Sequence, residues 1–284
     1  MRASEAALLV MAISVGVAFG VHDAVAKLKM EGVEPSSLSL ATLMAGLPLL
    51  SAALPFAGGL RLTPLAGLLY VSAGVVNFAL GRTTMYAATT ELTASGASVM
   101  TASSAAFSVL IGAAIGERVT WDIALGVATI IIAVYLASGW SAREVTKRGV
   151  ALGLLTGLAI ALSVAIIKLG DLMGGSPGLG VIIAYLSGTL ALSPKLRSAT
   201  STLRSYLVPV GVMGVAAAAG QLMRYLALTS LGVNVVTPLQ NLRPIVATMM
   251  LYGLASGGTK RPRLRHWAGA VLAFVGVALV SGLV

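Results

Sequence analysis

Arg243 and Pro244 stand together in the middle of an apolar run from about residue 232 to 254. A guanidinium at that depth costs several kcal/mol against lipid, and a proline leaves a backbone carbonyl without its helical donor, so the pair must face protein or water. Around it Asn234, Thr237, Pro238, Gln240 and Asn241 recur at close helical spacing, covering one broad polar face of a helix that Pro238 and Pro244 break. Carbonyls freed one turn before each proline, set beside amide side chains, can receive a substrate's donors. Arg243 can take a carboxylate or phosphate in bidentate fashion.

Other polar groups recur in apolar runs. Ser98, Thr101 and Ser104, with Ser108, form a second polar face on the run from about 93 to 116. Small hydroxyl residues there also read as packing positions between membrane helices. Arg82 with Tyr86, and Gln221 with Arg224 and Tyr225, lie near the ends of two further runs, where an arginine either lines a cavity or snorkels to the interface. Lys27 and Lys168, closer to span ends, read as snorkelling. His22 and Asp23 lie well inside the first run. They read either as a coupling-proton site, since both groups titrate, or as a local pair of Asp23 with Lys27 at i, i+4. Glu91, Glu117 and Asp171 fall in expected turns. Cations outnumber acids over this core, so a carboxylate- or phosphate-bearing metabolite, anionic or zwitterionic, balances the charge.

The elements that must position these groups are membrane helices. The chain has 284 residues, 57% hydrophobic and only 10% charged, with mean hydropathy +0.96, far outside the range of a soluble domain. Apolar runs at about 6–28, 36–56, 64–86, 93–116, 121–140, 149–170, 177–193, 206–229, 232–254 and 266–284 predict an all-α integral membrane protein of roughly ten transmembrane helices. The first run is longer than a signal-peptide core and is expected to be retained. A net charge of +10 comes from loop residues such as Arg143, Lys147, Arg148, Lys260, Arg261, Arg263 and Arg265, which read as topology signals and headgroup contacts, not as a nucleic-acid surface. With no cysteine and two histidines, thiol catalysis and a Cys/His metal site have no residues to build them, and no cofactor is implied. An enzyme would need a cluster of acids or histidines that only His22 with Asp23, and His266 in a loop, begin to supply.

The chain also repeats itself. A shift of 141 lays Ala12, Gly16, Gly20, Ala24 and Lys27 onto Gly153, Gly157, Ala161, Ala165 and Lys168. A shift of 139 lays Arg82, Tyr86, Thr101 and Ser104 onto Gln221, Tyr225, Gln240 and Arg243, and a shift of 143 lays Gly126 and Ala133 onto Gly269 and Gly276. The repeats are placed at 1–141 and 142–284. Five spans per half is an odd number, so the second half enters the membrane inverted. Inverted repeats are a plan of secondary transporters, with the substrate at their interface and alternating access as the mechanism.

Gly116-Glu117-Arg118-Val119-Thr120, followed by Trp121-Asp122 and Gly126, resembles the Gly-Glu-basic-x-Thr turn between the fourth and fifth spans of EamA-type transporters of the drug/metabolite transporter superfamily. Tyr86-Ala87-Ala88 and Tyr225-Leu226-Ala227-Leu228 resemble that family's Tyr-x-Ala-Leu segments. The second half departs from the pattern, with Ala255-Ser256-Gly257-Gly258-Thr259 where a Gly-Glu turn is expected, and the fourth span has Ala105 where the ninth has Pro244. The resemblance implies a multi-pass transporter of small organic solutes in the cell membrane. Export of an amino acid or related metabolite is expected by analogy of fold alone. Competing classes are an exporter of cationic drugs, a lipid flippase and a channel-like subunit. Faces such as Gly153-x-x-x-Gly157 read as packing within one bundle, whether monomer or homodimer. Loop charges place both termini outside, whereas the resemblance implies both in the cytoplasm.

Overall fold

The computed structural model describes residues 3–30, 32–56, 59–92, 100–138, 146–254 and 264–280, and every regular element among them is helical. In chain order these are α1 (Ala3–Lys29), α2 (Pro35–Ala53), α3 (Pro64–Gly74), a π-helical segment (Val75–Arg82), α4 (Thr83–Glu91), α5 (Ser103–Ala114), α6 (Trp121–Ser138), α7 (Lys147–Leu172), α8 (Pro177–Ala191), α9 (Leu196–Ser205), α10 (Leu207–Leu228), α11 (Val233–Gln240), α12 (Arg243–Leu254) and α13 (Leu264–Val280). Short 3-10 turns precede α3 and α9.

Helix starts follow the local chemistry. Pro35, Pro64 and Pro177 occupy first turns, where a missing N–H costs nothing. Thr63 and Thr146 accept from the backbone N–H of Ala66 and Gly149 at 3.2 and 2.9 Å. At the end of α5 the chain reverses through Gly116 at φ 90°, a conformation that only glycine adopts without strain, and this aims Glu117 back across the bundle.

Among the described residues five stretches are long and apolar enough to cross a membrane: Ala7–Lys29, Pro35–Ala53, Pro64–Glu91, Lys147–Leu172 and Leu207–Leu228. They coincide with five of the expected spans. Pro177–Ala191 and Ser193–Ser205 form a sixth candidate bent by 62°, and Ser103–Ala114, Trp121–Leu136 and Trp267–Val280 are shorter apolar helices. The expected ninth span is broken in two, as its prolines require: α11 ends at Gln240, residues 241–242 form a turn, and α12 restarts at Arg243 with Pro244 in its first turn. The outer surface exposes Val10, Leu68, Leu110, Leu190, Val271 and Phe274, the pattern of a protein whose solvent is hydrocarbon.

Packing crosses between the halves of the chain. α1 lies against α10, α11 and α12, while α7 lies against α3, α4 and α5. The small-residue ladders sit at these crossings. A Cβ on Gly16 would stand 3.0 Å from the Leu239 carbonyl and 3.4 Å from that of Gln240, at the break of α11. One on Gly157 would stand 2.3 Å from Ser103 Oγ and 3.4 Å from the Thr101 carbonyl, at the start of α5. Helices approach this closely only where side chains are absent.

Candidate functional site

A small cavity lies at the middle of these crossings. Its wall holds Phe19 and His22 from α1, Asn77, Gly81 and Arg82 from the π segment, Met85 from α4, Ile160 from α7, Gln221 and Arg224 from α10, Gln240 from the end of α11 and Arg243 from the start of α12. Six of these, His22, Arg82, Gln221, Arg224, Gln240 and Arg243, are candidates of the sequence.

Three guanidiniums therefore share one buried space. Arg224, Arg82 and Arg243 are only 2, 7 and 9% exposed. Their partners differ in kind. Arg243 is held by Asp23 in a two-pronged ion pair, Nε to Oδ2 at 2.6 Å and Nη2 to Oδ1 at 2.7 Å, with its guanidinium 5.4 Å from the centre of the Phe19 ring. Arg82 donates to the Thr42 hydroxyl at 3.2 Å and sits 4.7 Å over the Phe78 ring. Arg224 donates to the side-chain carbonyls of Gln221 and, at 3.5 Å, Gln240, and its Nε is buried with no partner among the described residues. Arg243 is thus neutralised by Asp23, while Arg82 and Arg224 have only neutral hydrogen-bond partners among the described residues.

Asp23 is also bonded to its neighbour, Oδ1 to His22 Nδ1 at 3.0 Å, and His22 Nε2 meets the Tyr86 hydroxyl at 2.8 Å. Tyr86 thereby joins the site from behind the wall. The i, i+4 pair of Asp23 with Lys27 is replaced by the pair with Arg243. A rigid guanidinium fork matches a half-buried carboxylate on two atoms, whereas Lys27 lies on an exposed position near the helix end. Arg82 and Arg224 do not snorkel, and Lys168 is no headgroup contact either: its ammonium donates to the Leu228 and Leu231 carbonyls at 2.6 and 3.1 Å, closing the end of α10. Glu117 does lie in a turn, but Glu91 ends α4 and Asp171 lies in α7, its carboxylate accepting from the Tyr70 hydroxyl at 2.6 Å.

The remaining candidates lie around the cavity and off its wall. Asn241, in the turn between α11 and α12, donates to Ser104 Oγ at 3.0 Å and to the Thr237 carbonyl at 3.2 Å, tying α5 to the break. Thr101 and Thr237 are buried beside this tie, and the Thr237 hydroxyl has no partner among the described residues. Asn234 lies at the far end of α11, where its amide donates to the Arg118 carbonyl at 2.8 Å and Glu117 accepts from the N–H groups of Val233 and Asn234 at 2.6 and 3.0 Å. Tyr225 packs on Tyr70, ring centres 6.1 Å apart. Ser98 lies outside the described residues. Pro238 sits inside α11, and Pro244 is buried in the first turn of α12.

Asn77 escaped the sequence reading. It is the lone amide of an apolar run, and its direction is set by the π segment, whose wider turns bring Asn77, Gly81 and Arg82 onto the cavity wall.

Residues 6–139 match the model of the EamA-like transporter family. No curated protein sequence matches the chain. A crystal structure of a protein superposes with TM-score 0.75 at 13% identity, over 98% of this chain and 99% of that one, a likeness of fold.

Proposed function

We propose, from the match of residues 6–139 to the EamA-like transporter family, that the chain is a secondary active transporter of the drug/metabolite transporter superfamily for small anionic or zwitterionic metabolites, acting by alternating access around the central cavity. Ten spans in two inverted repeats, 1–141 and 142–284, are the architecture that fits. Its support lies in matched contacts: α1 meets the broken ninth span at Gly16 and Gln240, and α7 meets the fourth at Gly157 and Thr101, the positions that the repeat equates.

The observation that carries the substrate class is the pair Arg82 and Arg224. Each buried ion costs several kcal/mol in lost hydration unless an opposite charge repays it. Asp23 compensates Arg243 alone. A carboxylate or phosphate in the cavity supplies the missing charge, with the unpartnered Nε of Arg224 and the amides of Asn77, Gln221 and Gln240 ready to orient it. Rocking of the halves around such a site exposes it to one side and then the other.

The test is thermal unfolding of the purified protein with succinate, L-glutamate, inorganic phosphate and the organic cation tetraphenylphosphonium. A ligand at about one hundred times its Kd stabilises the native state by about 2.7 kcal/mol. At least one anion is expected to raise the melting temperature of the wild type and not of Arg224→Gln. Stabilisation by the cation alone would move the reading to a cation exporter.

A further inference from the structure

We propose that His22 is the binding site of a coupling proton and that Asp23 passes from Arg243 to His22 when proton and anion enter together; the inference rests on the anion reading above. The Asp23 carboxylate is shared between two cationic or potentially cationic partners, taking Nε and Nη2 of Arg243 on one side and Nδ1 of His22 on the other. An ionised carboxylate only accepts, so Nδ1 carries a hydrogen, and in the neutral ring Nε2 holds the lone pair and accepts from the Tyr86 hydroxyl. His22 is 1% exposed and part of the cavity wall, and in its neutral form Nε2 is the atom that can take a proton.

The groups around His22 make that proton conditional. Its own helix supplies Asp23. From the helices packed on α1, α12 brings Arg243, α10 brings Arg224, and α11 brings Gln240 and no titratable side chain. Across the cavity the π segment brings Arg82 and α4 brings Tyr86. Three guanidiniums against one carboxylate oppose a further positive charge until an anion enters the cavity.

When it does, the proton adds to Nε2 and the Tyr86 hydroxyl turns from donor to acceptor. The imidazolium, already bonded to Asp23, becomes its counter-ion, and Arg243 is released to the substrate anion. One N–H bond forms, and the arriving proton and one anionic charge cancel. Proton and anion then promote each other's binding by the same factor. For one linked proton the anion's affinity rises up to about tenfold for each pH unit of acidification.

Calorimetric titration of the full chain in detergent with succinate, L-glutamate and inorganic phosphate tests this, run across roughly pH 5 to 8, where histidine titrates, in buffers of different ionisation enthalpy so that protons are counted. The wild type is expected to take up one proton per bound anion, with Kd falling up to about tenfold per pH unit of acidification. His22→Gln keeps a hydrogen-bonding side chain and is expected to bind the anion with no proton uptake and a Kd that pH does not move. Asp23→Asn, which frees Arg243 without a proton, is expected to bind more tightly than the wild type at the alkaline end. Should that variant fail to fold, His22→Gln decides alone. Anion binding without proton uptake in the wild type, or uptake that persists in His22→Gln, overturns the inference and leaves the anion site standing. Failure of all three anions to bind the wild type overturns both.

Discussion

Replacing Glu117 by alanine strips both acceptors from the first turn of α11. Gly232, which precedes that helix, has no side chain to cap it, and the carboxylate of Glu117 fills the place from a turn 116 residues earlier, taking the N–H groups of Val233 and Asn234 at 2.6 and 3.0 Å. Hydrogen bonds to a charged partner contribute about 1.5–3 kcal/mol each, and loss of a helix cap costs about 0.5–2 kcal/mol. Glu117 is partly exposed, so water replaces part of what is lost. The expected cost is about 2 kcal/mol for Glu117→Ala and about half that for Glu117→Gln, whose amide oxygen keeps one neutral acceptor. At roughly 2 °C per kcal/mol for a chain of this size, alanine lowers the melting temperature by about 4 °C. Thermal unfolding in detergent, followed by light scattering, measures it. Unchanged melting in Glu117→Ala would refute the capping assignment, and a glutamine variant as damaged as alanine would show that charge, not the hydrogen bond, is what α11 needs.

Added methyl groups at the helix crossings should be costly. On Gly20 a Cβ would stand 2.6 Å from Val246 Cβ and 3.0 Å from the Arg243 carbonyl, so Gly20→Ala is expected to lose about 1–3 kcal/mol in the same assay. Arg243→Gln leaves the half-buried Asp23 without its ion pair, and a loss of about 1–3 kcal/mol is expected, with Asp23→Asn/Arg243→Gln recovering part of it. At the surface, the ammonium of Lys195 and the hydroxyls of Ser37 and Ser36 hold the Glu34 carboxyl at about 2, down from 4.5. A lowered folded-state value gives stability that is present above pH 4.5 and fades as pH falls toward 2. The pair is exposed, so Lys195→Ala is expected to cost no more than about 1 kcal/mol at neutral pH and nothing at the acid end.

The sequence made the broken span legible because proline and arginine in an apolar run admit few solutions, and Arg243 does line the cavity behind a helix break. Arg82 with Gln221, and Thr101 with Gln240, were also readable as polar groups at matched places of the proposed repeat, and Arg224 as a charge beside Tyr225. The partner of Asp23 was not. Local spacing points to Lys27 one turn away, while Arg243 lies 220 residues along the chain and meets Asp23 only through the crossing of α1 and α12. Asn234 shares a polar face with Gln240, yet six residues of helix put it about 9 Å along the axis, out of the cavity and at the Glu117 cap. The π segment left no trace in hydropathy, since an i→i+5 turn and an α-turn bury the same residue types, and Asn77 was overlooked with it.

If the buried pair Arg82 and Arg224 binds the substrate, the protein takes an anion across the membrane. Uptake of radiolabelled succinate, L-glutamate and phosphate into proteoliposomes, wild type beside Arg224→Gln at matched protein load, measures it most directly. Saturable uptake of one of these anions by the wild type, reduced at least tenfold in a variant that still folds, is the expected result. Uptake that Arg224→Gln leaves intact, or a wild type that moves only organic cations, would contradict it.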